Sequence, residues 1–441
     1  MMKSVCFYFQ VHQPFRLRTY RFFDIGDQHD YFDEYANRYA IMQLAEKCYL
    51  PANSILLELI EKYGKKFRVA FSISGMALDQ FEMYAPEVLE SFKKLAKTGN
   101  VEFLAETNDH GLSSLKSKNE FVRQVKLHEK KLKDLFGIKP KAFRNTELIY
   151  NDEIGNHIFE MGYNTVLTEG PKHILGWKSP NLLYCSATNP KVKLLMKNFQ
   201  LSDDIAFRFS VKQWSEWPLT TEKFAGWLND LGTNAEVVNL FLDYETFGQN
   251  QSKKSGIFEF LKNLPEAIFK QTDFQFQTPS QVSASLQPAS PLHIPYPISW
   301  ADEERDITAW LGNDMQKEAF NKLFDLESFM EKCKDKQLLS DWDKLHTSDH
   351  FYYMSTKWFS EGVVKTRISP YNSPYDAFIN YMNVLTDLEI RVKNSCGDLK
   401  DLSANSGVKK STTRAKKTAT SAKKASASKQ TSKKKTSSET K

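Results

Sequence analysis

The sequence has few cysteines, no long apolar run and no nucleotide-binding signature, and each lack excludes something. Its 441 residues hold five cysteines (Cys6, Cys48, Cys185, Cys333 and Cys396), odd in number and never spaced C-x-x-C. That pattern predicts reduced thiols in a cytoplasmic protein rather than a disulfide framework or a zinc site. No stretch reaches the roughly 18 apolar residues a membrane span needs. The start, Met1 to Val11, lacks a small-residue signal-peptide cleavage site. G-x-x-x-x-G-K, G-x-G-x-x-G and a serine nucleophile elbow are also missing, which excludes the usual phosphate loops. An excess of positive charge is missing over most of the chain. Ser403 to Lys441 holds 12 Lys/Arg against one Glu, a net +11, whereas the preceding residues hold 48 basic against 53 acidic side chains, a net −5. An acidic body gives no support to specific nucleic-acid binding. The Lys/Ser/Thr/Ala tail is predicted to be disordered and to contact anions non-specifically.

What is abundant is aromatic and rhythmic. There are 32 Phe, 18 Tyr and 8 Trp. Short apolar runs with polar ends alternate with stretches of helical period. Seven runs read as strands: VCFYFQV, FRVAFSI, VEFLAE, AFRNTE, NTVLTE, IAFRFS around Arg208, and VVNLFLDYE. Between them, Pro86 opens a helix that Gly99 follows, Gly137 closes another, and Asp152 is placed to cap a third. Near-continuous apolar strands joined by helices predict an α/β fold with a parallel sheet, an incomplete (β/α)7 barrel over residues 1–298. Residues 299–402 read as a helical region completing the substrate cleft, with Ser373-Pro374 opening a late helix; 403–441 is the tail.

On such a fold the functional side chains gather at the carboxyl ends of strands. Those ends read His12, Ser74, His110, Glu147, Glu169, Arg208 and Asp243-Tyr244-Glu245. Glu147 and Asp243 stand out because each follows a run that would otherwise be buried. A carboxylate at the edge of an apolar core can have its pKa moved, which suits proton transfer or nucleophilic attack. Against this stands the plainer expectation that each caps a helix or pairs with Arg144 or Arg208. The aromatic load, with Trp300, Trp310 and Tyr352 in the helical region, suits a carbohydrate, whose rings offer flat apolar faces. The rim histidines read as hydrogen-bond partners, and no metal or other cofactor is expected.

Five blocks, in order, carry a resemblance: His12-Gln13-Pro14, GNVEFLAETNDH (Gly99–His110), FRNTELIY (Phe143–Tyr150), LFLDYETFG (Leu240–Gly248) and HIPYPISWADEERDITAWLGNDMQ (His293–Gln316). They resemble the signatures of glycoside hydrolase family 57, the α-amylase and 4-α-glucanotransferase group. The resemblance implies retaining cleavage of α-1,4-glucosidic bonds in glycogen, starch or maltodextrins, with Glu147 as nucleophile and Asp243 as acid/base. It further implies substrate contacts from His12, Glu102, His110, Trp310 and Asp349, with Trp300 and Arg208 as additional candidates. Asn108-Asp109 stand where amylase-type members carry aromatics, which removes a stacking surface. A 4-α-glucanotransferase or branching enzyme would use the same site. A metal-dependent polysaccharide deacetylase and a glucan-binding protein without turnover are the readings from other classes.

Overall fold

Strand β1, Lys3–Val11, is almost unbroken apolar sequence because both of its faces are covered. Val5, Phe7, Phe9 and Val11 join an outer apolar cluster under the surrounding helices, while Cys6 and Tyr8 point into a separate inner cluster. Strand β8, Val237–Asp243, divides the same way: Val238, Leu240 and Leu242 go outward, Val237 and Phe241 inward. Period-two alternation thus feeds two cores instead of one core and solvent. Each fully buried Leu, Val or Phe contributes about 1.5–3 kcal/mol to that burial.

The computed structural model describes residues 3–232, 234–357 and 369–396; the expected disordered tail lies outside them. The other strands are β2 (Val69–Ile73), β3 (Val101–Phe103), β4 (Phe143–Arg144), β5 (Thr165–Thr168), β6 (Leu183–Ser186), β7 (Lys193–Met196), β9 (Phe247–Gly248), β10 (Gln251–Ser252), β11 (Phe274–Phe276) and β12 (Pro291–Leu292). In one five-stranded sheet, β1 pairs with β2, β8 and β11, and β2 with β3. The other runs β12-β6-β7-β5-β4. A single parallel bridge, Ala105 to Phe143, joins the two sheets at one seam. At the other, the Asn198 amide donates to the Asn239 carbonyl at 2.9 Å. The pairing is therefore not a continuous closed ladder.

Six of the seven expected strands form. The seventh does not: Phe199–Asp203 is α-helical and Asp204–Arg208 continues it as a π-helical turn. Asn198 accepts from the Leu201 amide and starts that helix, and Leu201, Ile205 and Phe209 recur at four-residue spacing into the outer core. The place of the missing strand is taken by β7, whose neighbour β6 runs antiparallel to it. A cap expectation also shifts by one residue. Asn151, not Asp152, accepts from the Ile154 amide, and Asp152 instead binds Ser186, His293 and the Ile294 amide.

After Ile298 the chain is helical. Asp314–Phe324, Lys336–Leu345 and Pro374–Cys396 share one apolar cluster with β4, β5 and β7, through Phe320, Trp342 and Tyr381 against Phe143, Val166 and Leu194. The long last helix carries Cys396 to Cys333, and the two form a disulfide with Cα atoms 5.0 Å apart. This corrects the expectation of five reduced thiols; Cys6, Cys48 and Cys185 are free and buried. Helix packing had brought together two cysteines that lie 63 residues apart in sequence. Among the described residues no helix is long and apolar enough to cross a membrane.

Candidate active site

The strand registers bring the rim together. Val11 lies opposite Ile73 in the β1–β2 ladder, so the next residues, His12 and Ser74, meet, with His12 Nδ1 2.7 Å from Ser74 Oγ. Gln10 lies opposite Asp243 in the β1–β8 ladder. A cleft of about 890 Å³ opens at these carboxyl ends, lined by His12, His110, Glu147, Asp243, Trp300, Trp310 and Asp349 among others. Two of the expected residues are not brought there. Glu102 sits on β3, across from Ala70 in the adjoining strand, and its carboxylate accepts from the Ser280 amide and hydroxyl, both at 3.0 Å. Arg208 follows the helical correction above: it pairs with Asp204 one turn back and lies over the Trp214 ring.

Glu147 follows β4 in a left-handed conformation, φ 56°, as does His110 at φ 52°. Non-glycine residues occupy that region at a cost, and such strain gathers at functional sites. Three donors surround its carboxylate. Trp300 Nε1 donates to Oε2 at 2.6 Å, Ser348 Oγ to Oε1 at 2.9 Å, and His110 Nε2 lies 3.5 Å from Oε1. Burial alone would raise its pKa, yet the His110 hydrogen bond and charge, with the Arg144 charge, hold it below the ordinary glutamate value. Arg144 was the partner expected from sequence. It contributes charge from behind, stacked 4.8 Å from the Trp300 ring. Trp300 itself orients Glu147 as well as lining the cleft.

Asp243 behaves oppositely. Burial, and then the negative charge of Glu147, push it up to about 6, against Arg144, Lys197 and His110. The two carboxyl groups are thus driven to opposite sides of their ordinary range.

Sequence reasoning missed the residue that makes this possible. Glu106 is fully buried and its Oε2 lies 2.9 Å from His110 Nδ1, with Ser72 and Gln10 donating to Oε1. Burial opposes its ionisation, but the His110 hydrogen bond and charge hold it down at about 2. Burial likewise opposes a charge on His110, yet Glu106 and Glu147 raise it to about 9. The visible signal was the four-residue spacing of Glu106 and His110 in LAETNDH. Stacked on His110 at 4.0 Å, His12 is kept below the ordinary histidine value by burial and the neighbouring cation, and its Nε2 meets Asp349 at 2.9 Å. Glu245, two residues past Asp243, is pushed up to about 8 by burial and the Asp243 charge.

Elsewhere, Asp109, Glu120 and Asp343 place carboxylate oxygens within 4.8 Å of one another. Arg123 already pairs with Glu120 and Asp343, so a cation is in place. His346 and His350 are spaced H-x-x-x-H, but burial pulls them to about 3 and about 4 and each packs against an aromatic ring, Trp342 and Tyr381.

The loop after Asp243 depends on Gly248. Its φ is 110°, and a Cβ there would lie 1.9 Å from the Lys47 carbonyl oxygen. Gly248→Ala should therefore lower the unfolding free energy by about 2–4 kcal/mol, measured by urea denaturation; an unchanged midpoint would show that the loop yields freely.

The sequence profile of Glycosyl hydrolase family 57 matches residues 6–295. The chain belongs to that family, and it is a glycoside hydrolase. It is 41% identical over 405 residues to an inferred alpha-amylase of Methanocaldococcus jannaschii, an alignment covering 88% of this chain and 85% of that protein. Its fold is similar to that of a family 57 branching enzyme of Thermococcus kodakaraensis (TM-score 0.64, 14% identity, 92% and 94% of the two chains). It is also similar to a 4-alpha-glucanotransferase of Thermococcus litoralis (TM-score 0.62, 15% identity), covering 88% of this chain and 60% of that one.

Proposed function

We propose that this family 57 enzyme cleaves α-1,4-glucosidic bonds of glycogen, starch or maltodextrins with retention, on an incomplete (β/α)7 barrel that residues 299–402 complete as a cleft. The observation that carries this is the opposed pair: Glu147 held ionised by three donors, Asp243 held protonated up to about 6. Glu147 attacks the anomeric carbon while Asp243 gives its proton to the leaving oxygen. Esterification removes the Glu147 charge, one of the causes that raise Asp243. The aspartate then ionises more readily and takes the proton of the incoming water. His12, His110, Trp310 and Asp349 line the sugar-binding part of the cleft. The His110 imidazolium, neutralised by Glu106, keeps Glu147 charged without adding net charge to the pocket.

The same residues serve transfer if a sugar hydroxyl replaces water, and the pocket chemistry alone does not separate the two. Incubation with maltoheptaose does. We expect only shorter oligomers; oligomers longer than seven units would mean a glucanotransferase or branching enzyme, and no turnover would remove the reading. A cytoplasmic place of action fits the three free, buried cysteines and has the Cys333–Cys396 disulfide against it. Trapping thiols at cell lysis tests it, since a Cys333–Cys396 bond formed in vivo would count against it.

A further inference from the structure

The helix Glu34–Leu44 borders the cleft, and two of the side chains it turns to water are tyrosines. Tyr35 is 79% exposed and Tyr39 58% exposed. Their rings lie one turn apart, centroids 6.3 Å from each other and planes within 14°. Four residues further along the same stripe comes Gln43, then Lys47, and both line the cleft together with Tyr39. Residues four apart share a helix face, so the stripe runs continuously from Tyr35 into the cleft wall. A third ring, Phe207, lines the cleft from the Asp204–Arg208 turn and is 64% exposed.

Leaving three large rings in water at one cleft mouth forgoes the free energy that their burial would give. Exposed apolar patches rimmed by polar groups mark binding surfaces. The pocket they border sets the class of occupant. We propose that Tyr35, Tyr39 and Phe207 form a platform for the stretch of an α-glucan chain that extends beyond the catalytic cleft. This rests on the α-glucan reading above. A pyranose lays its C–H face on an aromatic ring and leaves its hydroxyls at the ring edge, where Gln43 and Lys47 offer donors. Successive tyrosines one turn apart, about 5.4 Å along the helix, would receive successive parts of one chain. Selectivity for long chains would then come from these rings and not from the residues around Glu147.

The test separates this platform from the catalytic assignment. In the full chain carrying Glu147→Gln, which leaves polymer intact, binding to soluble amylose is read by retardation in native gels and to maltotriose by calorimetry. We expect Tyr35→Ala with Tyr39→Ala to weaken amylose binding by about tenfold, and maltotriose binding much less. Tyr35→Trp should hold or tighten the amylose affinity. Equal losses on both ligands, or no loss on amylose, would overturn the platform. So would sedimentation showing a dimer that the same substitutions dissociate, because the rings would then be a self-association face. If amylose binding is lost as expected but the unmutated chain turns over no α-glucan, the catalytic reading fails and the platform stands.

Discussion

Glu147→Ala should abolish turnover of every α-glucoside, a loss on the order of 10⁴- to 10⁶-fold, and added azide should then yield the β-glucosyl azide. Without the carboxylate there is no covalent intermediate, and the small cavity left beside Trp300, Ser348 and His110 admits an anion that attacks the α-bond directly. Asp243→Ala should behave differently. Its loss on substrates with poor leaving groups should be about 10²- to 10⁴-fold, with activity retained on those that need no proton. Here azide opens the β-linked glycosyl-enzyme and the product is the α-glucosyl azide. Product configuration by NMR decides the matter. The reverse pattern would exchange the two roles.

The second large effect concerns pH. With Glu147 below its ordinary value and Asp243 at about 6, kcat/KM should rise as Glu147 ionises on the acid side and fall as Asp243 loses its proton. The optimum is therefore acidic, below about 6. Glu106→Gln removes the anion bonded to His110 Nδ1. Glu147 alone then opposes burial at His110, and its pKa should fall from about 9 toward its ordinary value of about 6.5. On the acid side, below the ordinary glutamate value, a His110 of that pKa is still protonated and still holds Glu147 down, so the acid limb stays in place. Toward the alkaline side His110 loses its proton and no longer opposes the protonation of Asp243, so the alkaline limb moves up. The profile should therefore widen on its alkaline side by up to about one unit, roughly tenfold in rate there, with the acid limb unmoved. NMR titration of His110 in the same variant reads the ion pair without reference to activity. A profile that sinks without moving would mean that Glu106 only supports the fold.

Much of this is legible in the sequence. Six strands could be read because their apolar runs are continuous, and continuity follows from a sheet covered on both faces. Glu147 and Asp243 could be picked because each is an acid at the end of a run that is otherwise buried. IAFRFS misled because its alternation suits a strand, while Asn198 and the four-residue spacing of Leu201, Ile205 and Phe209 suit a helix. Local pattern alone does not rank those two. With the strand went Arg208, which had no strand end to sit on.

The sequence by itself determined which residues are apolar, where the chain turns, and which two carboxylates stand at strand ends, since these depend on neighbours a few residues away. Tertiary structure alone decided that Glu102 faces Ser280 while Glu106 holds His110. It also decided that Trp300 and Ser348, 153 and 201 residues beyond Glu147, supply its hydrogen bonds, and that Cys333 meets Cys396. Protonation at this site is set by burial and by charges brought close from distant segments, and neither quantity exists until the chain has folded.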